Sequence, residues 1–370
     1  MVIYPNEPQN YWHDDEFNNF LKWAVENKVS DICLLPSSTF WVRKDGEWLR
    51  CSERYVTSDE IFTILDFISG NPAASATLMG GLDIDFAYEL KIDRFKNIRF
   101  RGNASACQDG WSIGAEVVLR VIPDIPPPLE TLNVENDILE HGFPNNGLVL
   151  VTGTVGTGKS TLLSSMLRRV RETMTKKVIT YESPIEFNLM DIENPLGPLV
   201  QTSIPEHLEN FTSAPRNAVR RAADVILVGE SRDPETLKSM LEVSETGICA
   251  YSTVHTRSVH ETVTRIINAF NSGEQNEIAI TLVSSLRLIV QQRLIPSLKG
   301  GRVAIREFLP FTDKHRKLLS STDKNNYIPT IRKFVREDGQ SLYFDACKKF
   351  DEGLISDVDL DKIKVEDSGD

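Results

Sequence analysis

The sequence predicts an α/β domain built on a mainly parallel sheet, preceded by a smaller α+β domain. Three observations carry this expectation. Four apolar runs, Gly147 to Thr152, Lys177 to Tyr181, Asp224 to Val228 and Cys249 to Val254, alternate with helical stretches, the pattern of βαβ units. Between Ile122 and Leu129 runs I-P-D-I-P-P-P-L, whose prolines favour extended backbone and cannot continue a helix or a central strand. A length of 370 residues supplies core material for about two domains.

In chain order, Glu16 to Glu26 carries Phe17, Phe20, Leu21 and Ala24 at helical spacing. D-I-C-L-L, F-W-V-R and E-W-L-R then read as short strands, with Asp45-Gly46 a hairpin turn between the last two. Residues 1–122 are therefore the α+β domain and 123–130 a Pro-rich linker. Residues 131–350 hold the α/β domain, where helical patterns at Ile278 to Gln292, Thr312 to Leu319 and Asn326 to Arg336 predict a helical appendage. The end, D-V-D-L-D-K-I-K-V-E-D-S-G-D, is charged and weakly apolar, so residues 351–370 read as an acidic, flexible, solvated tail.

Composition excludes several classes. With 41% hydrophobic and 25% charged residues the chain is neither disordered nor collagenous nor membrane-like. A formal net charge of -12 argues against coating nucleic acid, and no direct sequence-specific nucleic-acid binding is expected. Five scattered cysteines form no C-x-x-C pair, which fits a reducing cytoplasm rather than a zinc or disulfide site. The N-terminus lacks a basic start and an apolar core, and no window has the roughly 18 apolar residues that span a bilayer. Membrane association is expected only through partners.

The strongest chemical signal is G-T-V-G-T-G-K-S, Gly153 to Ser160, which satisfies G-x-x-x-x-G-K-[ST] between an apolar strand and a helix. In such a phosphate-binding loop, Gly153, Gly156 and Gly158 let backbone amides curl round a triphosphate, with Thr154, Val155, Thr157 and Thr161 completing the cradle. Lys159 neutralises β and γ oxygens, and Ser160 can hold Mg²⁺. D-V-I-L-V-G-E-S-R-D places Glu230 at the C-terminal edge of a buried strand, where it can reach the Mg²⁺ shell. V-I-T-Y-E-S-P-I-E-F places Glu182 just past another strand, as a candidate general base, with Glu186 four residues on. E-T-G-I-C-A-Y-S-T-V-H-T places His255 at a strand end, as a candidate γ-phosphate sensor. Taken singly, Glu182 reads more often as a solvated loop acid and His255 as a strand terminator; their company gives them the chemical reading.

These four ordered boxes resemble the hexameric ATPases of the type II and type IV secretion and type IV pilus superfamily. Val29 to Trp48, I-R-F-R-G-N at Ile98 to Asn103, L-R-V-I-P at Leu119 to Pro123 and S-L-R-L-I-V-Q-Q-R-L-I-P at Ser285 to Pro296 are similar to pilus retraction ATPases. The resemblance implies a PAS-like N-terminal domain and a RecA-like P-loop ATPase domain in a homohexameric ring, using ATP and Mg²⁺. By the same resemblance Lys159 and Ser160 match the Walker A pair, Glu230 the Walker B acid, Glu182 the catalytic acid and His255 the His-box histidine. Arg99, Arg101 and Arg120 match N-terminal arginines that approach nucleotide at subunit contacts, and Arg216 and Arg220 match two before the Walker B strand; simple surface solvation is the alternative for all five.

Two departures from the family pattern stand out. Glu182-Ser183 replaces the usual Glu-Asp pair, and Arg257 stands where a small or amide residue is common. The Glu-Ser form and the length look most like the Dot/Icm-type (type IVB) secretion and conjugative transfer branch, and the four-cysteine insert of many type II enzymes is missing. The implied protein is a cytoplasmic ATPase recruited to the inner membrane by components of a secretion or transfer machine. A pilus retraction motor, a nucleotide-gated docking protein with little hydrolysis and, less favoured for want of an acceptor pocket, a P-loop kinase are the alternatives.

Overall fold

The computed structural model describes residues 3–5, 7–44, 46–92, 97–122, 125–231 and 233–369. Asp45 of the expected hairpin turn, Pro123 and Asp124 of the expected linker, and Arg232 lie outside them. The chain forms two compact units, Met1–Asp124 and Ile125–Asp370.

The N-terminal unit runs α1 (Asp14–Glu26), β1 (Asp31–Leu34), β2 (Trp41–Lys44), β3 (Glu47–Arg50), α2 (Ser58–Ser69), α3 (Ala74–Met79), β4 (Ile84–Lys91), β5 (Asn97–Asp109) and β6 (Ser112–Ile122). Its antiparallel sheet has the order β3-β2-β1-β6-β5-β4. The helical spacing in α1 does what it predicts: Phe17, Phe20, Leu21 and Ala24 are all buried, with Phe40, Val42 and Leu119 in the same core. Glu60 ties this unit together. It closes the capping box of α2 with Thr57, receives Arg54 at 2.6 Å and accepts the Tyr11 N–H at 3.1 Å, all with its side chain buried.

The C-terminal unit continues with α4 (Asn136–His141), β7 (Gly147–Thr152), α5 (Lys159–Thr173), β8 (Val178–Glu182), β9 (Leu199–Ser203), α6 (Ala214–Arg220), β10 (Val225–Val228), α7 (Pro234–Ser244), β11 (Cys249–Val254) and α8 (Val259–Asn268). It ends with α9 (Gln275–Ser285), β12 (Leu286–Pro296), β13 (Arg302–Pro310), α10 (Asp313–Ser320), α11 (Tyr327–Asp338), α12 (Leu342–Asp351) and α13 (Asp357–Gly369). The sheet order is β13-β12-β7-β11-β10-β8-β9, parallel except for β13. Both faces are covered, one by α5 through Leu162, Leu163, Met166 and Leu167, the other by α7, α8 and α9. That double burial is why the strands read as unbroken apolar runs.

Two expectations are corrected here. Ile278 to Gln292 is not one helix: α9 stops at Ser285 and Leu286 opens β12, a strand between β7 and β13. A fully buried strand and a buried helix share the same apolar run, so periodicity does not separate them; the pairing with β7 does. The acidic end is also not a free tail over 357–369. It is a helix, and its Ile363 is buried in a small cluster with Ile305, Leu342, Ala346 and Ile355.

Replacing Glu60 by Ala leaves Arg54 and the capping N–H groups without their acceptor, so the N-terminal unit should lose about 2 kcal/mol or more. Urea unfolding followed by tryptophan fluorescence measures this, and a loss below about 0.5 kcal/mol, the scale of an ordinary surface substitution, would contradict the assignment.

Candidate nucleotide-binding site

β7 ends in mid-sheet and residues 153–158 turn from it into α5. Gly153 has φ +144°, and a Cβ there would lie 2.5 Å from the Gln292 carbonyl oxygen and 2.7 Å from Thr157 Oγ1, so no larger residue fits. Gly158 begins α5 at φ +79°. The loop carbonyls are committed elsewhere: Lys159 Nζ donates to Gly153 O at 2.9 Å and Thr154 O at 2.7 Å, Gln292 Nε2 donates to Thr157 O at 2.8 Å, and Arg302 donates to Gly156 O at 3.3 Å. The first-turn N–H groups of α5 have no intrahelical acceptor, and with the helix dipole they make an anion site. Ser160 sits in that turn, half-buried.

Parallel pairing brings the other boxes to the same edge. Neighbouring strands lie about 4.8 Å apart, and β7, β11, β10 and β8 end side by side. The order across the sheet is therefore loop, His255, Glu230, Glu182, whereas along the chain it is loop, Glu182, Glu230, His255. His255 Nε2 lies 3.0 Å from Glu230 Oε1. Burial lowers the pKa of the Lys159 ammonium, and the charges of Glu230 and Glu186 offset this in part, which places both carboxylates within the field of the loop.

Glu182 differs from them. Only 6% exposed, it accepts the Glu186 N–H at 3.3 Å and Gln201 Nε2 at 3.4 Å, and burial pushes its pKa up to about 6. Glu186 itself is exposed. Gln201 also donates to Phe187 O and accepts from Leu189 N, so it holds the whole 186–189 turn.

The five arginines divide between the two units. Arg216 and Arg220 are exposed on α6. Arg99, Arg101 and Arg120 belong to the N-terminal unit. Arg99 lies 3.7 Å from Glu89, and Arg120 donates to buried Asp31 at 2.7 Å. Arg43, Asp31, Arg120 and Arg101 stand opposite one another across β2, β1, β6 and β5, a row in which the single acid is taken by Arg120.

Sequence reading missed three supports of the loop, Gln292, Arg302 and Arg306, and one of the 186–189 turn, Gln201. Gln292 lay within a stretch already noted for its similarity, but its role depends on Arg306, whose Nε donates to Gln292 Oε1 at 2.8 Å. A charged residue inside V-A-I-R-E-F-L-P was the available signal, since a strand arginine among apolar neighbours has to be paired.

A family model described as type II/IV secretion system protein matches residues 89–363. The chain belongs to the type II/IV secretion system protein family. Among secretion-family relatives, the type IV pilus retraction ATPase PilT of Pseudomonas aeruginosa is 29% identical over 335 residues, 90% of this chain and 89% of that one. The solved structure of the ATPase DotB of Legionella pneumophila matches 99% of both chains at 36% identity and a TM-score of 0.89. That of the pilus retraction motor PilT with bound ADP matches 94% of this chain and 96% of that one, at 29% identity and a TM-score of 0.81. The α/β fold with a RecA-like ATPase domain is thus shared with secretion and pilus ATPases, and the likeness to the Dot/Icm-type member extends over the whole chain.

In this secretion-family site, Gln292 needs both a donor and an acceptor. Gln292→Glu turns a carboxylate toward the Thr157 carbonyl while keeping Arg306 paired, and should weaken ATP binding at least about tenfold, or 1.4 kcal/mol. Fluorescent-nucleotide titration checks this; unchanged affinity would remove Gln292 from the loop's support.

Glu182 gives a pH test. Its folded pKa, about 6, lies above the ordinary 4.5, so the folded state binds the proton more tightly and native stability is lost as pH rises from about 4.5 through 6. Glu182→Gln should therefore match wild type near pH 4 and gain on it above pH 6 by up to about 2 kcal/mol. Urea melts at the two pH values decide; a variant that gains equally at both is inconsistent with a buried, proton-holding carboxyl.

Proposed function

We propose that this chain is an ATP hydrolase that works as a homohexameric ring and drives assembly, gating or substrate transfer by a Dot/Icm-type (type IVB) secretion or conjugation apparatus. The observation that carries the reading is the meeting of Lys159, His255, Glu230 and the Glu182–Glu186 turn at one edge of the parallel sheet. Full-length likeness to DotB supports the branch. Likeness to PilT over nine-tenths of the chain supports a pilus retraction motor as the second reading.

Lys159 exchanges its loop carbonyls for β and γ oxygens, and the first turn of α5 presents N–H groups to the same phosphates. Ser160 and Glu230 offer hard oxygen donors that would fit Mg²⁺, which when bound would neutralise phosphate charge. His255 senses the γ-phosphate in this reading, which its 3.0 Å contact with Glu230 supports. Glu182 or Glu186 orients the attacking water, and burial divides the work: Glu182 fixes the turn and Glu186 offers an exposed carboxylate in the field of Lys159. Arg99 and Arg101, with Arg216 and Arg220, are the cations a neighbouring subunit can bring; Arg120 has first to leave Asp31. The ring is cytoplasmic and reaches the inner membrane through its partners. Among the described residues no helix is long and apolar enough to cross a membrane.

Phosphate release by purified protein tests the reading. Lys159→Ala should cut turnover more than tenfold, over about 1.4 kcal/mol, and mixing it with Arg101→Ala should restore activity in hybrid rings, each subunit supplying what the other lacks. A mixture no more active than its parts, with subunit exchange confirmed, excludes action in trans. Loss of secretion or transfer, against loss of twitching, in cells carrying Lys159→Ala separates the two machines.

A further inference from the structure

Arg257, two residues beyond His255, is the departure that the nucleotide site does not use. Its side chain lines a cleft together with Arg293 of β12 and Arg332 and Arg336 of α11. Four guanidinium groups at one cleft that holds two carboxylates, in a chain of net charge -12, leave an excess of positive charge that an anion would offset. Two carboxylates also line the cleft. Glu307 is buried, and its Oε1 accepts the Val259 N–H at 2.6 Å. Glu366, near the end of α13, is paired with Arg293. Among the described residues no carboxylate pairs with the side chains of Arg257, Arg332 or Arg336, and Arg332 Nη2 instead lies 3.3 Å from His260 Nε2.

The chemistry of the missing partner follows from these groups. Arginine presents a planar fork that matches the oxygens of phosphate or carboxylate, and several forks around one point favour the ligand with more oxygens and more charge. α8 and α12, capped by Ser258 and Ser341, both start at this cleft and add their positive dipole ends. The cleft has about 40 Å³ of room, enough for two or three waters and so for one phosphate group rather than a whole nucleotide. Glu366 on Arg293 is the carboxylate that the chain itself supplies to one corner of the cleft.

We propose that the cleft of Arg257, Arg293, Arg332 and Arg336 binds a phosphate group, free or at the end of a larger molecule, and that this ligand displaces Glu366 from Arg293. The site is separate from the nucleotide loop and does not rest on the function proposed above. Because Arg257 and His255 share one short segment between β11 and α8, occupancy of the cleft bears on the segment that carries the sensor histidine.

Equilibrium dialysis of radiolabelled inorganic phosphate against full-length Lys159→Ala protein, in which the nucleotide loop is disabled, tests this. Saturable binding is expected. Arg257→Gln combined with Arg332→Gln should weaken it at least tenfold, and Glu366→Gln should tighten it severalfold by removing the internal competitor. Arg336→Gln, an exposed single change, should weaken it severalfold with an unchanged melting temperature, which guards against misfolding of the double variant. Absence of saturable binding, or equal binding by the arginine variants, overturns the site; equal binding by Glu366→Gln overturns the displacement. Sedimentation with phosphatidylglycerol vesicles in a phosphatidylcholine background, compared with the free ion, tells a lipid headgroup from a soluble phosphate as the source.

Discussion

Arg306 is 2% exposed, and its guanidinium joins the neighbouring strand to the segment 132–135 of the C-terminal unit. Nε donates to Gln292 on the neighbouring strand, Nη2 to Leu132 O, and Nη1 to Asn133 O and to Glu135 at 3.2 Å. Its backbone N–H donates to Asp345 of α12, whose own pKa burial raises. A buried cation without partners costs several kcal/mol, so none of these contacts is optional. The consequence reaches the nucleotide loop: with Gln292 Oε1 taken by Arg306, its amide Nε2 is the end that faces Thr157 O. The segment that follows the proline-rich stretch, the last strand and the loop thus share one fixed point.

The sheet edge that carries the loop, His255, Glu230 and Glu182 shows a gradient of burial. Lys159 and Glu182 are 8% and 6% exposed, Glu230 and His255 are half-buried, and Glu186 is exposed. Glu182 is dry and hydrogen-bonded, Lys159 is held on the carbonyls of its own loop, and Glu230, His255 and Glu186 lie nearer solvent, where desolvation of a polar group costs less. Parallel strands make this possible, because all of them point their C-terminal ends, and the helix N-termini that follow, to one side.

In the N-terminal unit the same residue type is held in three different ways. Arg120 is clamped by a buried acid, Arg99 shares a half-exposed one, and Arg101 faces Arg120 directly across the sheet with no acid of its own among the described residues. Exposed ion pairs of the Arg99 kind contribute little to stability, so these arginines are available for work outside their own unit to the degree that Asp31 and Glu89 release them.

The sequence by itself determined the fold class, the division near the proline run, the phosphate loop and the strand ends carrying Glu182, Glu230 and His255, because each is a local pattern: an apolar run, a glycine spacing, an acid just past a strand. α1 was legible for the same reason, its core face repeating every three or four residues. Local pattern failed wherever the deciding contact was distant. Leu286 to Gln292 became a strand because β7 and β13 pair with it, and 357–369 became a helix because Ile363 has a cluster to enter. Only the tertiary structure could separate buried Glu182 from exposed Glu186, join Gln292 to Arg306, or collect Arg257 with arginines from β12 and α11. Burial, pairing and charge proximity are properties of what lies across a sheet or against a helix, and spacing along one chain does not record them.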